Sequence, residues 1–249
     1  MSKRALRWWL LGAAAYLVFL GANFPAQYLA DHVSKKLPEL QLNGVSGSIF
    51  SGSAAEVRYQ GTSFGTLDWH FDWLAPFTLS LGYRIDLHAQ DRDLHGRVDF
   101  GFNRVTLHGF EGRMPLSALS GWLPLPPNSL EGFVTPHLKQ LSIKAGRLVS
   151  AEGELDLDEV SLRWPTSAML GSFKAELTPV TDGTQAEVAD AGSPLKLQAA
   201  LSLSREGAYH LSGTLAVRDP GDQATRSLLA GLGRPDSTGQ YPFDFKGQW

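Results

Sequence analysis

The stretch LSLGYRIDLHAQDRDLHGRVDFGF, residues 79–102, alternates apolar and polar side chains on both sides of a short polar segment. A period of two is typical of β-strands that bury one face. With Asp91 and Arg92 as a two-residue loop, the pattern predicts an antiparallel hairpin in which Ile85 faces Val98. The register is constrained because a slip by one residue would turn every apolar side chain to the other face.

The charges of this hairpin favour the same register. It sets residues of opposite charge directly against each other, a stabilising arrangement on neighbouring strands. The predicted pairs of opposite charge are Asp86 with Arg97 and Arg84 with Asp99. The same register places Tyr83 opposite Phe100.

Alternation continues through most of the remaining chain. Residues 195–217 predict a second hairpin, in which Gly207 takes the left-handed position of the three-residue loop 205–207. A phase shift near Asp158 and Glu159 predicts a β-bulge. Short helical turns are expected at 116–122 and 223–232. The predicted fold class is therefore mainly β: an N-terminal transmembrane helix, then one curved or folded-over antiparallel sheet with a few short helices.

The N-terminus has the charge pattern of a membrane anchor. Lys3, Arg4 and Arg7 precede an apolar run that begins with Trp8 and Trp9. As a helix, this run has about the 30 Å length of a bilayer core. The positive-inside rule places the basic end in the cytoplasm, and the tryptophans are typical of the membrane interface.

The predicted organisation has four parts. These are a cytoplasmic N-terminus (1–7), a transmembrane anchor (8–24), a stalk (25–43) and a periplasmic β domain (44–249). A cleaved signal peptide is the alternative for the first segment, because its layout is similar. The predicted location is the bacterial inner membrane, with a single pass and most of the chain in the periplasm.

Composition argues against several functional classes. The 249 residues carry a formal charge of only −3, and no basic block follows the first seven residues, so nucleic-acid binding has little electrostatic support. Cysteine is absent, which excludes disulfides, thiol catalysis and cysteine-bound zinc.

Three sets of residues resemble chemical sites. Residues 61–65 match G-x-S-x-G, but a strand-like segment follows where a nucleophile elbow needs a helix. Asp68, His70 and Asp72 share one strand face, and His88 faces His95 in the predicted register. Hairpin glycines and solvated polar faces are the preferred interpretations. The prediction is a protein without catalytic residues, cofactor or metal, and not an enzyme.

Five segments together resemble the type II secretion system protein N family. They are residues 24–26, the glycine-rich run 44–54, the tryptophan strand at 67–69, and the C-terminal segments 228–235 and 246–249. The run 44–54, GVSGSIFSGSA, is similar to the family pattern G-x-x-G-[TS]-[IL]-[WF]-x-G-x-A. Phe50 stands where many members carry tryptophan, and residues 115–177 match only in texture.

The resemblance implies an accessory inner-membrane component of a type II secretion system. Such a subunit supports export of folded periplasmic proteins across the outer membrane through contacts with the assembly platform. Its expected partners are other inner-membrane secretion subunits and the membrane itself. The last strand is the candidate partner edge, with Pro242 and Lys246 limiting uncontrolled pairing. Its aromatic residues are Tyr241, Phe243, Phe245 and Trp249.

Two other classes stay open. A long antiparallel sheet with an apolar concave face also resembles lipid-handling envelope domains of the AsmA type, so a lipid partner stays open. The acyl groove would be lined by Trp69, Phe71, Trp73, Tyr83 and Phe100. An outer-membrane barrel is the third class, although the strands lack paired aromatic girdles.

Overall fold

The structure is a computed structural model. It describes residues 24–59, 61–72, 81–119, 129–163, 167–219 and 234–248, together with Trp8, Trp9, Gly12, Tyr16, Gly221, Thr225, Arg226 and Leu229. Within these residues, helix α1 spans Ala26–Lys36 and a 3-10 helix spans Leu116–Leu119. The strands are β1 Leu40–Gly47, β2 Ser51–Tyr59, β3 Thr62–Asp72, β4 Leu81–Ala89, β5 Arg92–Gly101, β6 Arg104–Pro115, β7 Leu130–Lys144, β8 Arg147–Leu162, β9 Ala168–Val180, β10 Gly183–Asp190, β11 Leu195–Ser204, β12 Ala208–Val217 and β13 Tyr241–Gln248.

All thirteen described strands form one sheet in which spatial order equals chain order, from β1 to β13. Each strand pairs antiparallel with the next. The period of two explains this meander, because every strand presents one apolar face to the same side of the sheet. The prediction of a mainly β protein with one antiparallel sheet and few helices is confirmed.

The β11–β12 hairpin has the predicted register. Leu201 faces Leu211 and Leu197 faces Leu215. Gly207 has a φ of 93°, the left-handed conformation that the three-residue loop requires. The predicted bulge is also present, since Glu159 has a φ of 53° and the β8–β9 register shifts between Leu157 and Val160.

The predicted register of the β4–β5 hairpin is wrong by two residues. Ile85 faces Gly96 instead of Val98, and the two-residue loop is Gln90 and Asp91. A shift by two leaves every side chain on its predicted face, so hydrophobic alternation cannot distinguish the two registers. Gly96 has a reason to lie there: a Cβ on it would come 3.0 Å from the Phe110 ring.

The predicted cross-strand pairs fail with the register. The observed partners are Tyr83 with Val98, Leu81 with Phe100, Arg84 with Arg97, Asp86 with His95, and His88 with Asp93. Arg97 instead bonds Asp72 on β3 at 2.8 Å and Asp99 on its own strand at 2.9 Å. Arg97 is therefore paired with carboxylates although it does not face Asp86.

The sheet curves around a small core. Cα atoms of β8 and β10, which β9 separates, approach within 8 Å, closer than the roughly 9.6 Å of a flat sheet. Leu116 of the 3-10 helix packs there with Val134, Val160 and Phe173 of β7, β8 and β9. The helical turn predicted at 116–122 is thus present over Leu116–Leu119, and its remainder lies outside the described residues.

Most of the predicted anchor 8–24 lies outside the described residues, as do Lys3, Arg4 and Arg7. Trp8 and Trp9 are described, and both are helical and exposed. Among the described residues, no helix has the length and apolar character to span a bilayer. Within the predicted stalk, α1 runs beside β1, and β1 begins at Leu40.

Candidate functional site

The glycine-rich run forms a tight connection between β1 and β2. Gly47 has a φ of 87°, and a Cβ on it would lie 2.6 Å from both the Gly52 Cα and the Ser51 carbonyl oxygen. Inside the loop, the Ser48 hydroxyl accepts hydrogen bonds from the Phe50 and Ser51 backbone N–H groups, both at 3.2 Å. Glycine at position 47 is therefore required by both conformation and space.

Trp69 on β3 closes this loop from the neighbouring strand. Its indole Nε1–H donates to the Ser48 carbonyl oxygen at 3.1 Å. A Cβ on Gly52 would lie 2.5 Å from the indole ring, so the glycine lets the ring lie against the strand. Gly47, Gly52 and Trp69 therefore pack together, and this contact explains their spacing in the sequence.

The same loop connects the N-terminal segment to the sheet. The Ile49 N–H donates to the Phe24 carbonyl oxygen at 3.2 Å, and Pro25 forms an antiparallel bridge with Ser48. The chain therefore reaches the sheet at the end where β1 stops and β2 starts. Helix α1 then runs toward the opposite end.

An aromatic row crosses the sheet from this loop. The ring centroids of Phe50 and Phe71 are 5.0 Å apart, those of Phe71 and Tyr83 5.3 Å, and those of Tyr83 and Phe100 6.0 Å, all edge to face. Burial raises the pKa of the Tyr83 hydroxyl. Phe100 remains 46% exposed, so the row is only partly covered by the described chain. Trp73 lies outside the described residues.

β13 is the second candidate site, because in the described part of the chain it pairs with β12 alone. The rings of Phe243 and Phe245 stack with centroids 5.9 Å apart, and Phe245 is 51% exposed. On the polar face, His210 Nε2 of β12 bonds Asp244 Oδ2 of β13 at 2.8 Å. This bond lowers the pKa of Asp244. Tyr241 faces Leu215; Trp249 lies outside the described residues.

The turn before β13 was missed by sequence reasoning. Asp236 Oδ1 accepts hydrogen bonds from the Thr238 hydroxyl at 2.7 Å, the Thr238 N–H at 2.8 Å and the Gln240 N–H at 3.0 Å. These bonds, led by the Thr238 hydroxyl, lower the pKa of Asp236. The signal is the run Asp-Ser-Thr-Gly at 236–239, which is typical of a side-chain-stabilised turn.

The residues that resembled chemical sites are strand residues in the structure. Ser63 lies on β3 and donates to Glu56 Oε1 at 3.2 Å, which contributes to lowering the pKa of Glu56 after the larger effects of Arg58 and Asn43. The prediction that His88 faces His95 is wrong: His88 faces Asp93 and bonds its carboxylate at 2.9 Å.

The polar face of β3–β6 carries an open groove of about 490 Å³. It is lined mainly by charged and imidazole side chains, including His70, Asp72, Arg84, His95, Arg97 and His108. No group of three or more histidine or acidic side chains with metal-binding geometry occurs in the described part of the chain.

Comparison with known proteins identifies the family of this chain. The model of the family "Type II secretion system (T2SS), protein N" matches residues 38–244. That match begins just before β1 and ends inside β13, so it covers β1 to β12 in full and the first half of β13. The chain belongs to the type II secretion system protein N family.

Curated proteins named type II secretion system protein N align with this family member over nearly its whole length. The one from Vibrio cholerae serotype O1 is 27% identical over 253 aligned residues, covering 99% of both chains. That of Aeromonas hydrophila is 26% identical, covering 94% of both. That of Klebsiella pneumoniae is 27% identical, covering 99% of this chain and 97% of its own. No solved structure matches significantly.

Proposed function

We propose that this chain is an accessory inner-membrane component of a type II secretion system, and that it acts by protein–protein contact with the assembly platform. The family match, which covers twelve strands of the sheet and reaches into the thirteenth, is the observation that carries the proposal. The contact model adds that the protein supports export of folded periplasmic proteins without performing chemistry itself. The strand positions of Ser63 and His70 favour a structural role for both.

The proposed topology has a cytoplasmic N-terminus and a periplasmic sheet. Its support is the one-sided charge of Lys3, Arg4 and Arg7 before the apolar run. A periplasmic phosphatase fused after Val45 is expected to be active, and the mature protein is expected to keep Met1 or Ser2. A mature N-terminus near Asn23 or Gln27 would refute the anchor.

The proposed contact is strand addition to β13. A free strand edge offers backbone N–H and C=O groups that a partner strand can pair with. Proline lacks an N–H, so the position of Pro242 in an edge strand fits an outward orientation of its backbone nitrogen. By the period of two, the N–H groups of Asp244 and Lys246 then also point away from β12. The apolar side chain of Phe245 adds exposed surface beside this edge.

Lys246→Pro tests strand addition, with Lys246→Ala as the matched control. Both variants remove the same ammonium group, but only proline removes the outward N–H and places a ring against an incoming strand. Neither change removes an N–H that β12 uses. We expect secretion and co-purification of the other secretion subunits to fall for Lys246→Pro and to persist for Lys246→Ala. Equal behaviour of the two variants, at equal abundance and thermal stability, would exclude strand addition at this edge.

A lipid-handling function of the AsmA type is the second candidate. Its support is the partly uncovered apolar face, where Leu81 is 53% exposed and Phe100 46%. An acyl chain along the aromatic row would cover both residues. Extraction of the purified full chain and mass spectrometry of the lipids distinguish the two functions: a stoichiometric lipid favours this one.

A further inference from the structure

One end of the sheet, termed here the junction end, is the end at which the N-terminal segment meets the β1–β2 loop. Because the strands alternate in direction, every second connection lies at this end. The junction end therefore includes the loop after Gly47, the β5–β6 turn at Phe102 and Asn103, the β7–β8 turn at Ala145 and Gly146, and the β11–β12 loop.

Large apolar side chains are exposed at the junction end. Phe102 occupies the tip of the β5–β6 turn and is 104% exposed, as open as in an extended peptide. Phe100 and Leu81, which pair on the adjoining ends of β5 and β4, are 46% and 53% exposed, and Phe24 at the β1–β2 loop is 47% exposed. Water contact of so many apolar groups at one end is unfavourable, and such clusters typically mark a binding surface or a membrane contact.

A row of basic side chains crosses the same end. Arg104 faces Lys144, and Lys144 faces Arg147, so three cations lie side by side on β6, β7 and β8. All three are exposed. Like charges directly opposite each other on neighbouring strands repel.

None of these three cations forms an ion pair with a carboxylate of the described chain. Arg147 donates instead to the Glu206 carbonyl oxygen at 3.2 Å. The acidic residues of the neighbouring turns, Asp182 and Glu206, are exposed, and neither carboxylate forms an ion pair with the row. An external anion would relieve the repulsion.

We propose that the junction end docks on the surface of an anionic phospholipid bilayer. Arg104, Lys144 and Arg147 would contact the headgroups, and Phe102 would enter the boundary between headgroups and acyl chains, as aromatic and basic residues of interfacial segments do. The inference rests on the proposed inner-membrane topology, because an anchor ending near residue 24 brings this end to the bilayer. It adds a second membrane contact, made by the sheet itself.

The chain contains no cysteine, so single cysteines allow site-specific labelling of the full-length protein. Phe102→Cys places an apolar, environment-sensitive fluorophore at the turn. Met169→Cys is the matched control, since Met169 is 69% exposed at the start of β9, the opposite end of the sheet. Each labelled chain is reconstituted into vesicles of phosphatidylcholine alone or mixed with phosphatidylglycerol.

At position 102, phosphatidylglycerol is expected to shift emission to the blue, strengthen quenching by brominated acyl chains and weaken quenching by aqueous iodide. The probe at position 169 should respond to neither lipid. Replacing Arg104, Lys144 and Arg147 by glutamine should lower the ratio of docked to undocked probe on the order of 100-fold, because each basic residue near an anionic surface contributes about five-fold. High salt should act in the same direction.

Iodide access at position 102 equal to that at position 169, in both lipid mixtures, would overturn docking and leave a protein partner as the occupant of this surface. Flotation after alkaline carbonate extraction reports the anchor separately. If the chain is extracted, the proposed topology fails. In that case docking is supported only if the chain sediments with vesicles that contain phosphatidylglycerol and the glutamine variant does not. Absence of this sedimentation overturns docking.

Discussion

The substitution Gly47→Ala is expected to destabilise the β1–β2 connection strongly. Forcing a non-glycine residue into the left-handed conformation seen at φ 87° costs about 1–2 kcal/mol. The new Cβ would also lie 2.6 Å from the Gly52 Cα and the Ser51 carbonyl oxygen, both of them backbone atoms that cannot rotate away. Such overpacking costs about 1–3 kcal/mol, so the expected loss of unfolding free energy is about 2–5 kcal/mol.

Gly101→Ala is the matched control for this prediction. Gly101 ends β5 at the same end of the sheet, its φ is not in the left-handed region, and the nearest atom to its Cβ would be 3.6 Å away. The control should stay within about 1 kcal/mol of the parent and can be stabilising, because alanine restricts the unfolded chain. Urea unfolding of the detergent-solubilised full chain measures both. Equal unfolding free energies for the two variants would refute the argument from close backbone contact.

Three further outcomes are expected. Trp69→Phe leaves the Ser48 carbonyl oxygen without its indole donor and should lower the unfolding free energy by about 1–2 kcal/mol in the same urea assay. The pKa of Asp236 is lowered in the fold, so its contribution is fully present above pH 3.8 and is lost as pH falls through the folded pKa. The protection factors of the β13 amides, in which the slower intrinsic exchange at low pH is already corrected for, should therefore fall at acid pH. Ser63→Ala and His70→Ala should leave secretion unchanged at normal abundance, and loss of secretion at normal abundance and complex formation would refute the non-enzymatic model.

The two hairpins show which parts of the fold the sequence could predict. For β11–β12, Gly207 fixes the position of the loop, and a fixed loop fixes the register. For β4–β5, neither Gln90 nor Asp91 has such a constraint, and two registers that differ by two residues bury the same faces. Charge pairing could not decide between them, because Arg97 has carboxylates available on β3 and on its own strand.

The candidate sites also differ in how far the sequence could predict them. The loop around Gly47 was visible in the sequence, because its glycines and Trp69 lie close together in the chain and their spacing is constrained by contact. The basic row was invisible, because Arg104 and Lys144 are 40 residues apart and meet only through the β6–β7 register. Residues that depend on an uncertain register cannot be assigned to one surface from sequence alone.

The difference between the two ends of the strand order argues for a single protein contact. Helix α1 contacts β1, and Pro25 forms an antiparallel bridge with Ser48 at the junction end of the same edge. β13 has no such neighbour in the described chain. Because strand addition needs unpaired backbone groups, a partner strand is expected at β13 and not at β1. The proposed lipid contact at the junction end leaves this edge accessible. The backbone N–H groups of Asp244 and Lys246 point away from β12, perpendicular to the strands, whereas the bilayer would meet the ends of the strands.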